Sequence, residues 1–114
     1  MPEEARRRHE RFQCDMAIWV RPEDSDEDFH LVEVNNIGAG GVLCLVHQEF
    51  GVALALDIRI ELPQREDMVP VKGIIRHKKR DNEDDEEYLI GVQFTEVEGM
   101  TVPAFMAYIE AMFV

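Results

Sequence analysis

Residues 54–62 read Leu54-Ala55-Leu56-Asp57-Ile58-Arg59-Ile60-Glu61-Leu62, with Pro63 next. A period of two puts Leu54, Leu56, Ile58, Ile60 and Leu62 on one face of a strand and Asp57, Arg59 and Glu61 on the other. One dry face and one wet face is the pattern of an antiparallel sheet packed on a core. Pro63 has no N–H to give a ladder and ends the strand.

The same period recurs on both sides of this stretch. Over 12–20, Phe12, Cys14, Met16, Ile18 and Val20 alternate with Gln13, Asp15, Ala17 and Trp19. A polar stretch from Arg21 to Asp28 precedes a second strand over Phe29 to Asn36, and Val42 to Val46 forms a third. A further strand runs from Met68 to His77 and reaches a charged hairpin arm (Arg76, Lys78, Lys79, Arg80) with an acidic tip. Tyr88, Ile90, Val92 and Phe94 mark the last strand. Six strands with short polar connections predict an all-β fold, a six-stranded antiparallel β-barrel whose closure removes most exposed edges. The period then changes. Val102, Phe105, Met106, Ile109, Met112 and Phe113 recur at helical spacing, so a C-terminal α-helix packs on the barrel or closes one end. Thr101 is its expected N-cap, and Pro103 is tolerated in the first turn. Residues 12–114 are expected to form a single domain, preceded by a flexible, arginine-rich arm over 1–11.

With 114 residues, 46% of them hydrophobic, the chain suits one compact domain. Met1 to Arg6 lacks the apolar region of a secretory signal. Runs such as Val52 to Leu56 fall far short of the roughly 18 apolar residues of a membrane span. A cytoplasmic protein without membrane insertion is the expectation. Cys14 and Cys44 both sit in apolar strand-like runs and read as buried free thiols. The formal net charge of −12 comes largely from two acidic stretches, around Glu23 to Asp28 and Asp81 to Glu87. Such a field disfavours DNA or RNA, but leaves room for a small anion held by local arginines, because distant exposed charges are screened.

Two short segments could do that. Arg7-Arg8-His9-Glu10-Arg11 concentrates guanidinium groups, which bind phosphates and guanine edges bidentately. Asn36-Ile37-Gly38-Ala39-Gly40-Gly41 leads a polar side chain into a glycine turn whose amides can form a nest for an anion. Each alone has an ordinary explanation, a solvated arm or a hairpin turn.

Together they resemble the PilZ family of bacterial cyclic di-GMP receptors. Arg7 and Arg11 match its Arg-x-x-x-Arg motif; Asn36, Gly38 and Gly41 match Asp/Asn-x-Ser-x-x-Gly. The likeness continues through Gly91-Val92-Gln93-Phe94 to the apolar C-terminal segment. It implies a cyclic di-GMP receptor in which Arg7 and Arg11 grip phosphates and guanine edges, with Arg8 as a helper. Asn36 would hydrogen-bond a guanine, while Gly38 and Gly41 let the ligand approach the backbone. Mutual repulsion of Arg6, Arg7, Arg8 and Arg11 would hold the arm off the barrel until a dianionic ligand docks it, the expected route of signalling to an effector protein. The alternative is a PilZ-like adaptor that binds a partner without nucleotide, although such members typically lack the arginine motif. Gly38 replaces the family's serine. A neutral hydroxyl bond is worth about 0.5–1.5 kcal/mol net, so its loss is expected to weaken binding rather than abolish it. Gly38→Ser should then tighten binding, unless Gly38 adopts a φ that a Cβ cannot tolerate.

No other chemistry emerges. His9, His30, His47 and His77 lack metal-ligand spacing. Asp24-Ser25-Asp26-Glu27-Asp28 opens like a calcium loop, but Phe29 stands where that loop needs glycine and Asn35 where it needs glutamate. Ser25, the sole serine, lies in an acidic loop, and no carboxylate pair is singled out, so no enzyme and no cofactor are expected. Trp19, opposite the core face, is either covered by the helix or the arm, or a partner-binding anchor.

Overall fold

The computed structural model describes residues 16–38, 40–62, 67–82 and 87–113. The alternating stretches become six strands: β1 (Ala17–Pro22), β2 (His30–Gly38), β3 (Gly41–Val46), β4 (Ala55–Glu61), β5 (Val69–Asn82) and β6 (Glu87–Val97). One helix, α1 (Val102–Phe113), follows. The strands close in the order β1-β2-β3-β6-β5-β4, antiparallel throughout, with β4 returning to β1 through Ile18↔Ile60 and Val20↔Ile58. This is the barrel that the alternation predicts.

Ile18, Leu56, Ile58, Ile60, Ile75 and Ile90 point inward and are fully buried. Each contributes about 1.5–3 kcal/mol by leaving water. Cys44 lies among them as a free thiol, whose pKa burial pushes up from 9.0 to about 12. Cys14, with Phe12 and the arm over 1–11, lies outside the described residues.

Thr101 caps α1 as expected, its Oγ1 accepting the Ala104 N–H at 3.2 Å. The helix packs on β6. Its Phe105, fully buried, meets the inward-pointing Phe94 edge to face, with centroids 6.2 Å apart and planes at 62°. No described helix is long and apolar enough to cross a membrane.

Several boundaries differ from the sequence reading. β1 continues to Pro22, because Arg21 and Pro22 pair with Asp57 and Leu56 of β4. β2 runs on to Gly38, past a bulge between Val34 and Asn36. Most of all, the basic arm is itself strand: Lys78, Lys79 and Arg80 pair with Ile90, Leu89 and Tyr88, carrying β5 to Asn82. Trp19 is half-buried on the outer face, where Phe29, Arg59 and Met68 share a shallow depression with it.

Candidate functional site

Asn36 and the glycine turn lie where β2 hands over to β3. The bulge between Val34 and Asn36 shifts the alternation by one residue, so Asn36 stands exposed on the outer face opposite Leu43. Gly38 pairs with Gly41 at the end of the hairpin, and the Gly40 carbonyl accepts the Phe94 N–H of β6 at 2.9 Å. Gly38 has φ +150°, a backbone that side chains with a Cβ rarely adopt, although the space around it is open. Gly41 is fixed by a different cause: a Cβ there would run into the Val92 carbonyl of β6. That close approach seats the turn tightly on β6.

From this turn the outer face reads in two rows across the strands. Asn36 pairs with Leu43, Leu43 with Gly91 and Gly91 with His77, which takes one row from β2 to β5. Gly38, Gly41 and Gln93 form the next. The rows floor a solvent-open groove of about 780 Å³ that also reaches Arg76 and Val102. Sites for small molecules fall at about 300–1,000 Å³.

Arg76, His77 and Gln93 are members of this groove that sequence reasoning missed. β5 bulges between Ile75 and His77, so Arg76 is the extra residue in the ladder. In a regular strand, consecutive side chains take opposite faces. Here Arg76 and His77 are both exposed beside the groove, while Ile75 stays buried. The Arg76 Nε–H donates to Gln93 Oε1 at 2.7 Å. One signal was available: Ile74-Ile75-Arg76-His77 places two apolar residues before two polar ones, which breaks the period of two.

The electrostatics bear on the same spot. Lys72 donates to Asp57 Oδ1 and Glu23 Oε2 at 3.0 Å each, and the bond to Asp57 is the larger cause raising its pKa. Lys78 faces Glu49 at 3.0 Å, and Arg21 faces Asp57 at 3.8 Å. Arg76 instead has a neutral amide as its hydrogen-bond partner, and no carboxylate among the described residues pairs with it. A second hollow of about 270 Å³ is edged by Asp57, Glu96 and Glu98 against Arg59 and Lys72, so acids outnumber cations there. Among the described residues, no three His, Cys, Asp or Glu side chains converge to hold a metal.

Of the residues that the sequence nominated, Asn36, Gly38 and Gly41 thus meet in one groove. Arg7, Arg8 and Arg11 lie outside the described residues. The PilZ domain model matches residues 5–109, a span that includes all three arginines. The chain belongs to the PilZ domain family. Among solved structures, the inhibitor of motility MotI/DgrA of Bacillus subtilis superposes with a TM-score of 0.62 at 21% identity. That match covers 85% of this chain and 46% of the other, so this PilZ domain spans less than half of its neighbour's length. At that identity the likeness is one of fold. No curated protein sequence matches the chain.

Proposed function

We propose that this PilZ domain is a receptor for cyclic di-GMP that signals to an effector protein through its N-terminal arm. The observation that carries the reading is the convergence of Asn36, Gly38 and Gly41 on one groove, in a chain whose family match also spans Arg7 to Arg11. The ligand carries two phosphates and two guanines. Guanidinium forks from Arg7 and Arg11, helped by Arg8, supply charge-assisted bonds to both kinds of group. Asn36 offers a donor and an acceptor to a guanine edge. Gly38 and Gly41 leave the backbone bare for close approach. Without ligand, Arg6, Arg7, Arg8 and Arg11 repel one another. A dianion neutralises them and docks the arm on the barrel, which changes the surface offered to a partner.

Charged hydrogen bonds contribute about 1.5–3 kcal/mol each. Arg7→Ala or Arg11→Ala should therefore weaken calorimetric affinity for cyclic di-GMP by about tenfold to a hundredfold. An Arg11→Ala variant that binds like the parent would sink the reading. In parallel, amides of residues 5–11 should exchange quickly without ligand and gain protection with it. High protection before ligand is added would remove the arm mechanism and leave the receptor. Gly38 in the place of the family's serine favours a second reading, an adaptor that engages a partner without nucleotide. Absence of binding by the parent would select it.

A further inference from the structure

The groove holds a cation that the family's two motifs do not contain. Arg76 lies on the β5 bulge, outside Arg7–Arg11 and outside Asn36–Gly41, and reaches the groove from the opposite hairpin. Resting on the receptor reading above, we infer that Arg76 is a further ligand-binding residue, a guanidinium that reads the O6/N7 edge of one guanine, with Gln93 as its positioning residue.

Three observations support this role. Bulges re-aim side chains beside binding sites, and this one puts both Arg76 and His77 on the groove side of the strand. The bond from Nε to Gln93 Oε1 fixes the plane of the guanidinium and leaves its two Nη groups as the free end of the fork. Two adjacent donors match the two acceptors, O6 and N7, of guanine. The surroundings also leave room for a base. Gly91 has no side chain and leaves a notch between Leu43 and His77, the neighbours on either side in its row. Leu43 and the His77 ring flank that notch, and Val102 lines the same groove. The His77 ring carbons lie 3.4 and 3.8 Å from where a Cβ on Gly91 would sit, so the ring borders the notch. A planar base can lie along this row, where the guanidinium fork offers it two adjacent donors.

The test is a mutant cycle between protein and ligand. Parent and Arg76→Ala are each titrated calorimetrically with cyclic di-GMP and with its 7-deazaguanine analogue, which keeps both phosphates and lacks N7. The parent should bind the analogue about tenfold more weakly or worse. Arg76→Ala should bind cyclic di-GMP weakly and lose that discrimination, while its thermal midpoint stays near the parent's because the side chain is exposed. Gln93→Ala should show a smaller loss of the same discrimination. If Arg76→Ala binds like the parent while Arg11→Ala does not, this inference fails and the receptor reading stands. Equal weakening towards both ligands would mean a phosphate contact and overturn base reading. No binding by the parent would overturn both.

Discussion

Gly38 and Gly41 close one hairpin, yet substitution should act on them through different physics. At Gly41 a Cβ would strike the Val92 carbonyl, a backbone atom that cannot rotate away. Gly41→Ala should therefore part β3 from β6 and cost about 1–3 kcal/mol or more, as overpacking does. At Gly38 the surroundings are open, but φ is +150°. Strain there costs about 1–3 kcal/mol, comparable with or larger than the 0.5–1.5 kcal/mol or so that a serine hydroxyl could return. Restoring the family's serine should thus lower stability and offset the tighter binding that the resemblance implies, the outcome expected for a φ that a Cβ resists. Urea midpoints and affinities of both variants check this; a tighter and equally stable Gly38→Ser would refute it. Cys44 gives a test in pH. Its thiol is pushed up to about 12 in the barrel, above the unfolded value of 9.0. Between those two values the neutral thiol is favoured only in the folded state, so its stabilisation is complete below about pH 9 and drains away as pH rises towards 12. Each pH unit in that window removes about 1.4 kcal/mol. Between about pH 8 and about pH 10, the parent should lose stability more steeply than Cys44→Ala. Equal slopes would mean a thiol open to solvent.

Among the elements, α1 depends most on single contacts. It has no acid in its first turn and no base in its last, so its own terminal turns do not offset its dipole. What remains is the Thr101 cap and the burial of Phe105, Met106 and Ile109. Thr101→Ala should cost about 1 kcal/mol, lowering Tm by roughly 4 °C or more; an unchanged Tm would mean that water replaces the cap. The strands were readable wherever one side faces the core: the aliphatics of 54–62 could alternate for no other reason. β5 was harder. Three irregularities interrupt its pairing with β6: the extra residue is Thr95 of β6 after Lys72, and Arg76 and Asp81 of β5 at the other two, and at Arg76 the alternation of β5 is reset. Its outer half is paired through backbone, with charged side chains that look from sequence like any solvated loop. Pairing partners decide such a strand, and they lie in β6.

Seen whole, the barrel has no free sheet edge among its six described strands, which protects it from edge-to-edge association. The net charge of −12 adds mutual repulsion between copies. The same topology explains how much of the site could be read in advance. Asn36, Gly38 and Gly41 form one short run with its own turn chemistry, so sequence exposed them. Arg76 and Gln93 come from another hairpin and join that run only across the β3–β6 pairing, through Gly41↔Gln93 and Leu43↔Gly91. An arginine on a strand announces nothing until its neighbours are known. That seam also has a kinetic consequence. β2–β3 and β5–β6 are hairpins that can form locally, whereas β3 must find β6 across the intervening β4 and β5, a slow, non-local step. A nucleotide lying over the groove would therefore act as a clasp on a non-local joint. At ligand concentrations of about a hundred times Kd it should add about 2.7 kcal/mol. If the seam is still open at the folding barrier, the whole effect falls on the reverse rate. Rapid-mixing experiments should then find escape from the native state slowed about a hundredfold, with refolding as fast as before.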